Sequence, residues 1–189
     1  MSSKVRLFLV FAVVFTVIDQ ITKILVVKHI RYGVEEIPVF ATKLISLSFV
    51  HAQNRGAAFG AFQGQTALFV VFTVVVVPLL LYMLKELPAN DRFQASAIGL
   101  IMSGAIGNFI DRVHKQSVTD FIRVYTEDAG LRQWLASKSV PNEWPSFNVA
   151  DAAIVTGLGM FLIHYLFFEK DSPDVQPEPP AEPLDAPQS

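Results

Sequence analysis

The sequence has no cysteine among its 189 residues. This absence excludes disulfides, thiolate nucleophiles, and zinc or iron–sulfur sites that use cysteine ligands. Charge is also scarce, because charged residues form 17% of the chain and the net charge of -2 leaves no basic surface for nucleic acid. The four histidines show no metal-binding spacing, and the sequence lacks both a Gly-rich phosphate loop and a Gly-x-Ser-x-Gly elbow. The sequence therefore gives no support to the common nucleotide-, metal- and serine-based sites.

Apolar residues dominate the chain, at 52% of the sequence with a mean hydropathy of +0.43. A helix needs about 20 apolar residues to span a bilayer. Stretches of about that length predict four transmembrane helices, at 7–27, 67–84, 93–110 and 149–168. The first stretch is too long for a cleaved signal peptide and no small-x-small cleavage site follows it, so we interpret it as a retained helix.

The domain organisation follows from these four spans. We expect one membrane domain over residues 1–170, with two long connections at 28–66 and 113–147. The acidic, Pro-rich tail at 171–189 is typical of a disordered end.

The two long connections contain their own structural signals. Ile45–Phe49 alternates polar and apolar residues and predicts a strand, and Val34–Phe40 is a weaker strand candidate. Leu131, Trp134 and Leu135 have the spacing of a short amphipathic helix. This helix either lies in the membrane interface or packs on the protein's own loops, and the residues leave both interpretations open.

Two aspartates near the predicted spans have a basic residue close in sequence. A carboxylate at membrane depth costs roughly 2.5–3.5 kcal/mol on insertion scales, so it is usually retained for function. Asp19 and Lys23 are one helical turn apart in the favourable order and predict a structural ion pair, with a direct catalytic role as the alternative. Asp111 is followed directly by Arg112, which we expect to be its partner.

Two further aspartates, Asp120 and Asp151, have no obvious counter-charge. Two carboxyl groups brought together cannot both ionise cheaply, so one retains a proton. Such a pair can take a proton from water with one member and protonate a scissile amide with the other. The residues alone favour this pair and leave Asp111 open as a member.

The residues alone leave two other classes of function open. A small proton-coupled transporter could use the aspartates as a proton relay, although the two halves of the chain show no internal repeat. A purely structural membrane subunit would leave the paired Asn and Asp residues at three span edges unexplained.

Five short segments, taken in order, resemble the sequence boxes of the bacterial lipoprotein signal peptidases (signal peptidase II). They are Asp19–Lys23, Asn54–Phe59, Gly104–Arg112, Val118–Phe121 and Phe147–Asp151. Each box alone is weak, but five in order are specific. The resemblance implies a mainly α membrane protein, a four-transmembrane-helix bundle with a small periplasmic β-sheet and a periplasmic amphipathic helix.

The resemblance also implies an activity. Members of this family are aspartic endopeptidases that cleave diacylglyceryl-modified prolipoproteins before the lipidated cysteine, and no metal or organic cofactor is implied. The implied partners are lipidated signal peptides and membrane lipids, with no nucleic acid, and we expect a monomer. The implied catalytic pair is Asp120 and Asp151. The implied substrate-binding or supporting residues are Asn54, Gly56, Asn108, Asp111, Arg112, Asn148, Asp19 and Lys23.

The resemblance implies a bacterial inner-membrane protein with both termini in the cytoplasm and the active site near the periplasmic face. A simple count of Lys and Arg gives the opposite orientation, because the two long connections carry more of them than the terminal side. Thr126–Asn142 is longer than the family pattern requires. We hypothesise that its amphipathic segment covers the site as a lid.

Overall fold

The computed structural model describes residues 1–56 and 64–167. Its elements are α1 (Ser3–His29), β1 (Glu36–Ala41), β2 (Ser46–Asn54), α2 (Thr66–Glu86), α3 (Arg92–Lys115), β3 (Val118–Tyr125), α4 (Ala129–Ser137), β4 (Glu143–Phe147) and α5 (Val149–Phe167). Within these ranges α1, α2, α3 and α5 are long and apolar enough to cross a membrane, which confirms the four predicted spans. The expected tail at 171–189 and the Ala57–Phe59 part of the second box lie outside the described residues.

Helix α3 is the centre of the bundle, because α1, α2 and α5 all pack on it. Its small residues allow the close approach that apolar helices in lipid require. A Cβ atom at Gly99 would lie 2.7 Å from the backbone oxygen of Phe8 in α1. Helix α2 contributes Leu80 and Leu84 to the same core.

The two long connections form one antiparallel sheet in the order β1-β2-β3-β4. The two predicted strands exist as β1 and β2, and β3 and β4 add two strands that the sequence did not predict. Side chains alternate between the two faces of the sheet, and the pairing register shows which residues share a face. We call one the polar face, which carries Glu36, Pro38, Ser48, Arg123, Tyr125 and Glu143. We call the other the apolar face, which carries Ile37, Phe40, Phe49, Val124 and Trp144.

The polar face is held together by Arg123. Its guanidinium is 2.8 Å from a carboxylate oxygen of Glu36 and 2.6 Å from one of Glu143. It also stacks over the ring of Tyr125 at 4.5 Å from the ring centre. These contacts link β1, β3 and β4 across one side of the sheet.

The sheet is attached to the bundle near the ends of α1 and α5. Val26, Ile30 and Phe121 form a buried cluster, and Ile122 and Val149 pack against it. This attachment brings β3, and with it Asp120, beside the spans.

The amphipathic helix predicted around Leu131 exists as α4 and contains no buried residue. Its Arg132 lines an open cavity together with Glu36, Arg123 and Tyr125 of the polar face. Neither of the two cavities bordered by α4 is lined by Asp120 or Asp151. Both interpretations of this helix stay predictions, and the cavities give no support to a lid over the aspartates.

Candidate active site

The charged centre of the bundle is Lys23, whose side chain is 1% exposed. Its ammonium nitrogen lies 2.8 Å from Asp19 Oδ2 and 3.6 Å from Asp111 Oδ2. The same nitrogen donates to Asn108 Oδ1 at 3.1 Å. A buried charge is tolerated only when it is paired and hydrogen-bonded, and Lys23 meets both conditions. The predicted Asp19–Lys23 ion pair is therefore present.

The prediction that Arg112 is the partner of Asp111 was wrong. Its ion pairs are with Lys115, 3.1 Å from Oδ1, and with Lys23. Arg112 instead donates to the backbone oxygen of Gly56 at 3.4 Å and stacks over the ring of Phe69. The physical reason is helical geometry, because side chains at i and i+1 do not face each other whereas those at i and i+4 do.

Asp111 fixes the beginning of β3. Its Oδ2 accepts a hydrogen bond of 2.9 Å from the backbone N–H of Thr119. The next residue is Asp120, which is 2% exposed. A carboxylate in α3 therefore sets the backbone position from which the Asp120 side chain projects.

Asp151 is placed by the first turn of α5. The Asn148 side chain accepts from the Asp151 backbone N–H at 2.9 Å, and Asp151 Oδ2 accepts from the Asn148 backbone N–H at 3.2 Å. This reciprocal pair is a capping box with Asn148 as the N-cap. The Asn-x-x-Asp spacing is therefore the local reason why Asp151 has a fixed position.

One amide group joins the two aspartates. Asn148 Nδ2 donates to Asp120 Oδ1 at 2.7 Å and to Asn108 Oδ1 at 3.2 Å. Asn108 Nδ2 in turn donates to Asp151 Oδ1 at 2.8 Å. Because the Lys23 ammonium can only donate, it holds the oxygen of Asn108 toward itself and the amide nitrogen toward Asp151. The two amides and the lysine thus set the orientation of both carboxyl groups.

The surroundings of Asp120 favour its protonated form. Burial raises the pKa of Asp120 to about 7, and the negative charge of Asp151 acts in the same direction. Hydrogen bonds from Asn54 and Asn148 and the charge of Lys23 oppose this rise in the pKa. A carboxyl group in this range can hold a proton at neutral pH and release it during a reaction.

Asn54 and Gly56 form a turn beside this network. Asn54 Oδ1 accepts from the Gly56 backbone N–H at 2.9 Å, and the Gly56 oxygen accepts from Arg112. Arg112 therefore connects this turn to α3, close enough to Asp151 and Asp120 to interact with their charges.

The structure thus brings the predicted site residues into one region. Sequence reasoning missed Lys115, although it stands four residues after Asp111 and the spacing rule that found Lys23 could have found it. It also missed Gln20, which donates to Asp19 Oδ2 at 3.0 Å and to the backbone oxygen of Gly107 at 3.1 Å.

Comparisons with known proteins agree on one family. The model of signal peptidase (SPase) II matches residues 11–167. The lipoprotein signal peptidase of Shouchella clausii is 36% identical over 83% of this chain and 91% of its own length. That of Geobacillus kaustophilus is 37% identical over the same shares of the two chains. A bacterial membrane enzyme solved by the in meso method is similar with a TM-score of 0.71, at 27% identity over 90% of this chain and 94% of its own.

Proposed function

Since the chain belongs to the signal peptidase II family of aspartic peptidases, we propose that Asp120 and Asp151 activate the water with which it cleaves prolipoproteins. The bond to be cleaved lies immediately before the diacylglyceryl-modified cysteine. Peptidase membership also sets aside the transporter alternative, because the aspartates then serve hydrolysis rather than a proton relay.

The observation that carries the proposal is the single amide shared by the two aspartates. Asn148 donates from its side chain to Asp120 and caps the helix that carries Asp151. Among the residues that the structure describes, no basic side chain forms an ion pair with either aspartate. Both carboxyl groups are therefore oriented by amides, which leaves their protons available for chemistry.

The environments of the two carboxyl groups suggest different roles. Asp151 accepts N–H donors from Asn108 and Asn148, as suits an ionised base. Asp120, with its raised pKa, is the acid. Water attacks the scissile carbonyl carbon and gives a proton to Asp151, while Asp120 protonates the carbonyl oxygen. The C–N bond then breaks as Asp151 gives its proton to the leaving nitrogen and Asp120 regains its own.

The neighbouring polar groups are suited to hold an extended peptide. Asn54 and Arg112 lie beside the aspartates at the end of the bundle where the sheet is attached, and we propose that they bind the substrate backbone. Asp19, Lys23 and Asp111 support the site through Asn108 and the backbones of Thr119 and Ala150. The peptidase unit extends over residues 1–170 and acts as a monomer.

We further propose that this end of the bundle is at the periplasmic face of the inner membrane and that both termini are cytoplasmic. The connectivity supports one shared side for the whole sheet, because both long connections leave the same end of the four spans. Some of the basic residues in these connections have local partners, which weakens the unfavourable charge count as an argument. Arg123 and Lys115, for example, pair with carboxylates.

The test uses a purified, lipidated precursor and the variants Asp120→Asn and Asp151→Asn. Each keeps the shape of the carboxyl group but cannot exchange a proton, so we expect cleavage to fall by roughly 10²–10⁴-fold or more. Substrate binding and the thermal melt should be close to those of the unmodified chain. If either variant retains near-normal turnover, the assignment of the pair is wrong.

Asp111→Asn is the matched comparison. Asp111 contacts Lys23, Lys115 and the Thr119 backbone but neither catalytic carboxyl group. We expect this variant to lower the melting temperature and to keep measurable turnover. A complete loss of turnover with an unchanged melt would place Asp111 in the chemistry instead.

A further inference from the structure

The chain passes from α3 to β3 through a turn of only two residues, Gln116 and Ser117. Gln116 adopts the left-handed conformation, with φ 58° and ψ 16°, which favours glycine. A residue with a side chain persists in this conformation only where the surrounding contacts hold it there. Because Asp120 follows four residues later, whatever holds the turn also affects the position of that side chain.

Lys115 closes a loop of polar contacts around this turn. Its ammonium nitrogen lies 3.1 Å from Asp111 Oδ1 in α3 and donates to Thr119 Oγ1 in β3 at 3.3 Å. The other oxygen of Asp111, Oδ2, accepts from the Thr119 backbone N–H at 2.9 Å. Thr119 is therefore bound to α3 twice, through its backbone and through its side chain, and the second connection depends on Lys115.

The two lysines that contact Asp111 bind different oxygens of its carboxylate. Lys23, inside the bundle, lies 3.6 Å from Oδ2, the oxygen that also accepts from Thr119. Lys115, which is 38% exposed, binds Oδ1 from the rim of the bundle. Without Lys115 the carboxylate is free to rotate toward Lys23, and this rotation would weaken its hydrogen bond to the Thr119 N–H. A buried carboxylate keeps a fixed orientation only when both its charge and its oxygens are satisfied.

We propose that Lys115 is a positioning residue for the peptidase reaction, because it holds the α3–β3 turn closed through Asp111 and Thr119 and so fixes the point from which Asp120 projects. This inference rests on the proposed role of Asp120 in the catalytic pair. In the described part of the chain Lys115 forms no hydrogen bond with Asp120 or Asp151. Its loss should therefore lower kcat and leave KM unchanged, as expected for a group that acts on the chemical step and not on substrate binding.

The first test measures cleavage of a purified, lipidated precursor by three lysine variants of the full-length protein. Lys115→Met keeps the apolar stem but removes the charge and the donors, and kcat should fall about 3–10-fold, as for the loss of one hydrogen bond. Lys115→Arg keeps the charge and can donate to both partners, so it should restore most of kcat. Lys43→Met, which removes an exposed lysine from the turn between β1 and β2, should leave kcat unchanged.

A double-mutant cycle examines the connection through Thr119. Thr119→Val removes the hydroxyl group that accepts from Lys115 but keeps the backbone N–H that donates to Asp111. If Lys115 acts through this hydroxyl, the double variant Lys115→Met/Thr119→Val should lose little more kcat than Lys115→Met alone. Losses that simply add would contradict the connection.

Hydrogen exchange reports the same positioning without any cleavage. In detergent, the peptide that covers residues 116–121 contains the Thr119 amide, whose N–H is bound to Asp111 Oδ2. We expect this peptide to exchange several-fold faster in Lys115→Met than in the unmodified chain or in Lys43→Met. Exchange at an unchanged rate would overturn the inference, because the turn would then be held without Lys115.

The kinetic outcomes are distinct. A raised KM with an unchanged kcat would show that Lys115 contacts the substrate, and the inference would be overturned. A lower melting temperature with a normal kcat would leave Lys115 a stabilising role only, which also overturns it, and so would a loss in Lys115→Arg as large as that in Lys115→Met. The catalytic pair is tested separately by Asp120→Asn. If that variant retains turnover, the proposed pair fails, whereas faster exchange in Lys115→Met would still show that Lys115 holds the turn.

Discussion

At the scale of single residues, Asn108 has two different tasks. Its side-chain oxygen accepts from Lys23 and its nitrogen donates to Asp151. Lys23 thereby influences the region of the proposed catalytic pair without touching either of its aspartates. This explains in physical terms why a buried ammonium and two further carboxylates are retained within an apolar bundle.

Replacing Asn108 by Asp separates these tasks. The variant keeps an oxygen for Lys23 but removes the N–H donor to Asp151, and it adds a negative charge to the network. We expect kcat to fall by on the order of 10²-fold, with KM little changed, because the Asp151 carboxyl group loses its fixed orientation.

The same variant has a predicted pH dependence. A further negative charge should raise the pKa of Asp120, the proposed acid, so the alkaline limb of the kcat profile should move to higher pH. Ser103→Ala is the control, since Ser103 is buried in the same helix but bonds only within it through its hydroxyl. An unchanged rate in Asn108→Asp would contradict the role given to this amide.

At the scale of elements, Gly107 determines how closely α1, α3 and α5 meet. A Cβ atom there would lie 2.5 Å from Asp19 Oδ2 and 3.2 Å from the Cβ of Ala150. The carboxylate cannot move freely, because it is bound to Lys23 and Gln20. A methyl group at this position must therefore displace a helix or the ion pair.

We expect Gly107→Ala to destabilise the protein by about 1–3 kcal/mol, the usual cost of overpacking a core. Cleavage should fall together with stability, because Lys23 moves with Asp19. Gly159→Ala is the matched control, since a Cβ at Gly159 meets nothing within 4 Å. Thermal melts in detergent and precursor cleavage measure both effects. Equal melts for the two variants would show that α3 does not need Gly107 for its close contacts.

The four spans could be predicted from sequence because they depend on local signals, and the capping box, which was not predicted, has a local signal as well. Apolar length is sufficient for a span, and Asn-x-x-Asp before an apolar run indicates a helix start. The strands β3 and β4 were missed for equally local reasons. Residues 118–121 are all buried, so β3 begins without alternation, and β4 contains Pro145, which weakens any strand signal.

The sequence predicted the Asp19–Lys23 ion pair but not the partners of Asp111, and it missed Lys115 and Gln20. Asp120 and Asp151 stand out because no base is adjacent to them in sequence. The actual partners of Asp111 depend on helix rotation and on the approach of α1, which composition does not encode. The link from Lys23 through Asn108 to Asp151 joins three helices and could be found only in the folded chain.

At the scale of the whole molecule, the proposed orientation can be measured directly. Green fluorescent protein fused after Ser189 should fluoresce in a bacterial host, because it folds only in the cytoplasm. Alkaline phosphatase inserted at Lys43, in the β1–β2 turn, should be active, because it requires the periplasm. The reverse pattern would place the termini outside, as the simple count of basic residues suggests.

The hydrogen bond between Asp19 and the backbone N–H of Ala150, 3.0 Å long, joins the first span to the last. During translation α1 leaves the ribosome long before α5 is made. Until then Asp19 lacks one of its donors, and the chain has neither Asp151 nor the Asn148 amide that orients Asp120. If Asp120 and Asp151 are the catalytic pair, as proposed, the newly made protein cannot hydrolyse its substrate before α5 is inserted, and this helix both closes the bundle and activates it.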